Sequence, residues 1–217
     1  MVRVKICCIK THEEAKLARR YGADALGLIS WMPSGDRFIT DRQIQDIASA
    51  NSDVSRFLLT CKTNPMEIRD QVLEAGVDTV QLVDEATTDC LKCLRSYLSD
   101  TSLVQVVHVA GPSAIERAKN IEPYVDAILL DSGASGSPSR TFGGTGRVHD
   151  WDVSAQIVRQ VSCPVFLAGG LGPDNVAEAI DQVRPSGVDV CSRIRRNGCL
   201  DEELLSQFFV AVRAVSN

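Results

Sequence analysis

A thiol and a carboxylate head the residues able to do chemistry. Cys7 closes the run Val4-Lys5-Ile6-Cys7, and a cysteine at a strand tip is a candidate base or nucleophile. A free thiol is only a few per cent ionised at neutral pH. Lys5, two residues earlier on the same strand face, is expected to favour the thiolate. The competing reading of Cys7 is a small buried hydrophobe. Asp131 ends the apolar run Ala127-Ile128-Leu129-Leu130. A carboxyl placed there suits catalysis at a barrel rim, or else a helix cap or loop hydrogen bond.

Two glycine-rich stretches could serve a ligand. In Ala168-Gly169-Gly170-Leu171-Gly172-Pro173-Asp174-Asn175 the glycines let backbone approach a bound group. Pro173 and Asp174 then open a helix whose first amides favour an anion. A phosphate site is expected here, with a plain turn as the alternative. The second stretch is Thr141-Phe142-Gly143-Gly144-Thr145-Gly146, followed by Asp150-Trp151. It lies in a long connection, 132–148, of the kind that forms lids. A surface loop without a role is the alternative.

Such groups need elements to hold them. Strand-like runs at 2–7, 25–29, 55–60, 79–83, 103–108, 125–130, 164–168 and 188–191 alternate with helix-like segments, among them 12–21, 41–50, 65–75, 174–183 and 202–215. Eight strands alternating with helices imply a parallel sheet, and right-handed crossovers can close it. The expected fold is α/β: a single eight-stranded parallel (β/α)8 TIM barrel over 1–217, with any active site at the C-terminal strand ends. An open doubly wound sheet is the alternative, though no Gly-x-Gly-x-x-Gly follows the first strand.

Alternation along the strands sorts the faces. Val2, Val4 and Ile6 oppose Arg3, Lys5 and Cys7; Val188 and Val190 oppose Asp189 and Cys191; Ile128 and Leu130 oppose Asp131. The apolar faces should pack on helices and the mixed faces line the barrel. Closure makes the first and last strands neighbours, so Lys5 and Asp189 should pair within about 3.5 Å.

The 217 residues are 44% hydrophobic and 24% charged, as in an ordinary soluble globular protein. A net charge of -5 argues against a nucleic-acid or anionic-membrane partner. No apolar run is long enough to span a bilayer and no signal peptide is visible. Of eight cysteines, only Cys90 and Cys93 have ligand-like spacing, inside an expected helix. Their scatter argues against disulfides and against a metal site, and reduced thiols in the cytoplasm are the expectation.

Taken in order, the segments resemble the phosphoribosylanthranilate isomerase family. The likeness runs from Val2 to at least Ser192. It is carried by Val2-Arg3-Val4-Lys5-Ile6-Cys7, Gly22-Ala23-Asp24-Ala25-Leu26-Gly27, Val80-Gln81-Leu82 and Leu129-Leu130-Asp131. Further on come Gly143-Gly144-Thr145-Gly146 with Asp150-Trp151, Gly169-Gly170-Leu171 with Asn175-Val176, Val183-Arg184-Pro185 and Val188-Asp189-Val190.

The resemblance implies an Amadori rearrangement without a cofactor, with Cys7 as general base and Asp131 as general acid. It implies Arg37 near the anthranilate and Lys5, Gln81, Gly144 and Asp189 as further substrate residues. Gly169, Gly170 and Ser192 would hold the phosphate, and Arg193 could join them by charge or block the pocket. A monomer or homodimer is expected.

Several positions depart from the family's pattern. Cys8 replaces a usual glycine and Lys10 a threonine. Val83-Asp84 replaces His-Gly, and Cys191-Ser192-Arg193 replaces Ser-Ser-Gly. Ile194 and Arg195 follow, where an acidic residue is common. His108 could stand in for the absent imidazole, or be a hydrogen-bonded rim residue, and His12 and His149 are expected at the surface. These departures keep two alternatives open: a divergent isomerase of another phosphorylated sugar amine, and a non-catalytic sugar-phosphate-binding barrel.

Overall fold

In a computed structural model, described over residues 1–33, 38–132 and 150–215, eight parallel strands close into a barrel. They are β1 (Arg3–Ile6), β2 (Ala25–Ile29), β3 (Ser55–Thr60), β4 (Thr79–Leu82), β5 (Ser102–His108), β6 (Ala127–Asp131), β7 (Val165–Leu167) and β8 (Gly187–Val190). A short antiparallel pair, β9 (Arg195–Arg196) and β10 (Cys199–Leu200), follows β8. The helices are α1 (His12–Tyr21), α2 (Asp41–Ser49), α3 (Pro65–Ala75), α4 (Thr88–Tyr97), α5 (Ser113–Ile121), α6 (Trp151–Gln160), α7 (Val176–Val183) and α8 (Glu202–Ala214). Cys90 and Cys93 lie on α4, inside a helix as expected.

The alternation of strand residues sets two cores. Val4, Ile6, Leu26, Leu28, Ile128 and Leu130 point outward and pack with helix residues such as Ala15, Ile44 and Phe208. Cys7, Ala25, Phe57, Leu59, Val104, Ala127, Leu129 and Phe166 form the barrel interior. The expected sorting of faces therefore holds in β1, β6 and β8. At about 25 cal/mol per Å² of apolar surface, these layers are the main stabilising term.

Closure depends on the register of the first and last strands. Lys5 stands opposite Asp189 in the β1–β8 pairing, and their side chains form an ion pair at 3.0 Å. The seam predicted from the sequence is thus present. Several boundaries shift by one or two residues, that of the seventh helix among them. The sequence opens the seventh helix at Asp174, whereas α7 begins at Val176. Asn175 explains the delay: its side-chain carbonyl accepts from the Gly172 amide at 2.8 Å and its amide donates to the Gly170 carbonyl at 3.0 Å. These bonds fold residues 170–175 into a braced turn. No helix among the described residues is long and apolar enough to cross a membrane.

Candidate active site

The C-terminal strand ends surround one cavity, lined among others by Cys7, Gln81, His108, Asp131, Gly169, Gly170, Asp189 and Ser192. All eight come from six different strands or the turns just beyond them, so the barrel alone brings them together. Ile29, Met32, Phe38 and Val83 give the cavity an apolar wall. Arg37, Gly144 and the segment 133–149 lie outside the described residues.

Cys7 sits just past β1. Its amide donates to the Val190 carbonyl at 2.9 Å. Room for the thiol comes from Gly27 on β2. A Cβ added there would lie 2.9 Å from Cys7 Sγ and 3.2 Å from Lys5 Nζ, a clash that any side chain would force. The glycine was visible in the sequence, but its role depends on register and had no local signal.

Lys5 is fully buried beneath the thiol and is not among the residues lining the cavity. Burial works against its charge, but Asp189 and then Cys7 outweigh that and hold its pKa above the ordinary value. Its pull on Cys7 has the expected sign and is not the winner. Burial raises the Cys7 thiol to about 11, with Lys5 and Arg195 only partly opposing it. Lys5 favours the thiolate as expected, but burial outweighs it and the resting group is a thiol.

Asp131 ends β6 and is buried. Burial raises its pKa above the ordinary carboxylic value, against the amide of Ser132, which donates to it at 2.7 Å, and the nearby His108. Burial therefore favours the protonated carboxyl, the form a general acid needs. His108 faces Asp131 in the β5–β6 register. Its Nε2 lies 3.3 Å from the Val83 carbonyl, which makes it a hydrogen-bonded member of the rim. His12 is exposed, as expected.

The glycine turn after β7 carries Gly169 and Gly170 at φ of 81° and 69°, left-handed conformations that suit glycine. Arg193 lies beside this turn and not on the cavity. Its guanidinium donates to the Gly170 carbonyl at 3.0 Å and to Asp174 at 2.7 Å, and it is absent from the cavity lining. The reason is steric and electrostatic: Gly172 leaves room for the side chain, since a Cβ there would lie 3.0 Å from Arg193 atoms, and Asp174 offers an opposite charge. Arg193 therefore neither fills the pocket nor touches it.

The cysteine expectation is corrected. A disulfide joins Cys8 to Cys191, residues 183 apart in sequence whose Cα atoms are 6.0 Å apart. Scatter along the chain hid the pair, but both cysteines follow the tips of strands that closure makes neighbours. Cys8 holds φ at 64°, which accounts for the glycine that the family's pattern usually places there. The other six cysteines form no disulfide.

A second cross-link was also missed. Arg195 is nearly buried and donates to the carbonyls of Cys8 at 2.6 Å and Cys7 at 3.2 Å. It also pairs with Glu14 at 2.7 Å. Glu14 in turn accepts from the amides of Lys10 and Leu200, each at 2.9 Å. Burial disfavours the Glu14 charge, but Arg195 and these amides outweigh it and lower its pKa. The departure to arginine at 195 was the available clue; its partner on α1 was not.

Known proteins bear directly on this arrangement. The family model described as N-(5'phosphoribosyl)anthranilate (PRA) isomerase matches residues 4–211. A Methanosarcina mazei protein named N-(5'-phosphoribosyl)anthranilate isomerase 2 is 40% identical over 210 residues, covering 95% of this chain and 92% of its own. The solved phosphoribosyl anthranilate isomerase of Thermotoga maritima superposes with a TM-score of 0.85 at 29% identity, over 99% of this chain and all (100%) of that one. Another solved isomerase, in complex with reduced 1-(o-carboxyphenylamino)-1-deoxyribulose 5-phosphate, gives 0.83 at 28% identity, over 99% and 100% of the two chains.

Proposed function

Since the chain belongs to the phosphoribosylanthranilate isomerase family, we propose that Cys7 and Asp131 are the base and acid of the rearrangement that this family performs in tryptophan biosynthesis. The activity is that of the family: conversion of N-(5-phosphoribosyl)anthranilate to the carboxyphenylamino-deoxyribulose phosphate, an intramolecular aldose-to-ketose isomerisation.

The observation that carries the residue roles is the meeting of Cys7 and Asp131 on one cavity with Gly169, Gly170 and Ser192. Asp131, whose protonated form burial favours, gives its proton to the furanose ring oxygen. The C–O bond breaks and leaves an iminium between C1 and the anthranilate nitrogen. Cys7, once ionised, takes the proton from C2, and the electron pair moves into an enolamine. Tautomerisation of the enolamine gives the ketose. A thiol near 11 is scarce as thiolate at neutral pH but strongly basic when formed, which suits removal of a carbon-bound proton.

The amides of Gly169, Gly170 and Ser192 are the phosphate ligands in this reading. Gln81, Gly144, Asp189 and Lys5 serve the sugar side, Asp189 and Gln81 directly and Lys5 through Asp189. The apolar wall of Ile29, Met32 and Phe38 suits a flat aromatic ring, and the Arg37 guanidinium suits its carboxylate. We place the enzyme in the cytoplasm, as a monomer or homodimer. Size-exclusion chromatography with light scattering decides between these.

The deciding experiment is turnover of N-(5-phosphoribosyl)anthranilate by purified protein, with rescue of a tryptophan auxotroph lacking this step. Both are expected for the wild type and for neither Cys7→Ala nor Asp131→Asn. Soluble wild-type protein that fails in both assays overturns the reading. Turnover of a different sugar amine alone would favour a divergent isomerase.

A further inference from the structure

We propose that Cys8 and Cys191 are a reversible thiol-modification site in the wall of the catalytic cavity, whose oxidised form holds the phosphate-binding turn in shape; the phosphate part rests on the function proposed above. Both cysteines line the cavity, Cys8 next to Cys7 and Cys191 next to Ser192. Cys8 is buried, but Cys191 is partly open, so a reductant entering through the cavity reaches the Cys191 sulfur first. The neighbouring Cys7 is a poor competitor, because its buried thiol offers little thiolate for exchange.

The reaction balances with a small dithiol. One dithiol thiolate attacks the Cys191 sulfur, a new S–S bond forms, the Cys8–Cys191 bond breaks and Cys8 leaves as a thiolate that takes up a proton. The second thiol then attacks the mixed disulfide, releases the Cys191 thiol and closes the reagent into a cyclic disulfide. Two electrons and two protons pass from the dithiol to the protein.

Position decides which property responds. Cys7 is held without the disulfide by the Val190 carbonyl, by Arg195 on the carbonyls of residues 7 and 8, and by the Lys5–Asp189 pair beneath it. Ser192 opens a three-residue 3-10 turn that has no side-chain cap, and the bond from Cys191 is its covalent tie to β1. Reduction should therefore loosen the anion site and spare the base.

The test compares air-oxidised wild type, wild type treated with dithiothreitol, and Cys8→Ser/Cys191→Ser with and without dithiothreitol. Differential alkylation and mass mapping should find six free thiols of the eight cysteines before reduction, with residues 8 and 191 in one cross-linked peptide. Calorimetric affinity for inorganic phosphate should weaken roughly three- to tenfold on reduction, about the effect of impairing one good hydrogen bond. The substrate KM should rise in step while kcat stays within about twofold. The double variant should match the reduced form and ignore dithiothreitol. Free thiols at both positions in air-oxidised protein, unchanged phosphate affinity, or a dithiothreitol response that persists in the double variant each overturn the proposal. Phosphate affinity decides the matter even if no form turns over the substrate, an outcome that would instead strike at the function.

Discussion

The two sides of the cavity are built differently. On the base side, Cys7 rises from a seam where β1 and β8 are joined by an ion pair, a disulfide, an arginine fork and strand hydrogen bonds. On the acid side, the Asp131 carboxyl accepts from the Ser132 amide, beside His108. The base is thus placed by cross-links, and the acid is tuned mainly by loss of water. Cross-links resist a change of geometry, whereas burial sets a proton affinity and contributes no stability of its own.

The sharpest contrast comes from removing the reacting groups. Asp131→Asn should lower kcat about 10²- to 10⁴-fold, the usual worth of a positioned acid. It removes a buried carboxyl with few partners, so the melting temperature should hold or rise. A large loss of stability would break the comparison. Lys5→Met should do the reverse on the base side. It strands Asp189 in the interior, at a cost of about 3–5 kcal/mol by denaturant titration. A loss below about 1 kcal/mol would show that the seam is not cross-linked by charge.

Arg195→Lys keeps the charge and loses the fork over the carbonyls of residues 7 and 8. Stability should fall by about 1.5–3 kcal/mol, the range for hydrogen bonds to a charged group, and kcat should fall more than KM rises. Next is the thiol itself. Iodoacetamide labelling of Cys7 should speed up with pH to a midpoint near 11. In Lys5→Met the midpoint should move higher still, because the positive charge that opposes burial is gone. A midpoint near the free-thiol value of ~8.5 would remove burial as the dominant cause. The smallest effect belongs to Arg193→Gln. Its pair with Asp174 is solvent-facing, so stability should change by less than about 1 kcal/mol.

How far each side was legible in the sequence follows from the same difference. Strand alternation gave the faces of β1, β6 and β8, and closure alone gave the Lys5–Asp189 pair. Cys7, Asp131, Gly169 and Gly170 stood out because each sits at a strand end or in the glycine turn beyond one, whereas Ser192 came from the family resemblance alone. The disulfide and the Glu14–Arg195 pair were not, since their partners lie 183 and 181 residues apart and pair only once the barrel is closed. The role of Gly27 and the partner of Arg193 were hidden for a related reason. Whether a glycine makes room, or an arginine finds Asp174 before a phosphate, is decided by packing between neighbouring strands and turns.

The most direct test is a crystal structure of this chain with reduced 1-(o-carboxyphenylamino)-1-deoxyribulose 5-phosphate bound. The account predicts the phosphate on the amides of Gly169, Gly170 and Ser192. Cys7 Sγ should lie on one side of the sugar chain, close to C2, and the Asp131 carboxyl on the other, about 2.6–3.2 Å from the oxygen that closes the furanose. A ligand whose sugar carbons contact neither group, or whose phosphate sits on Arg193 outside the glycine turn, would contradict it.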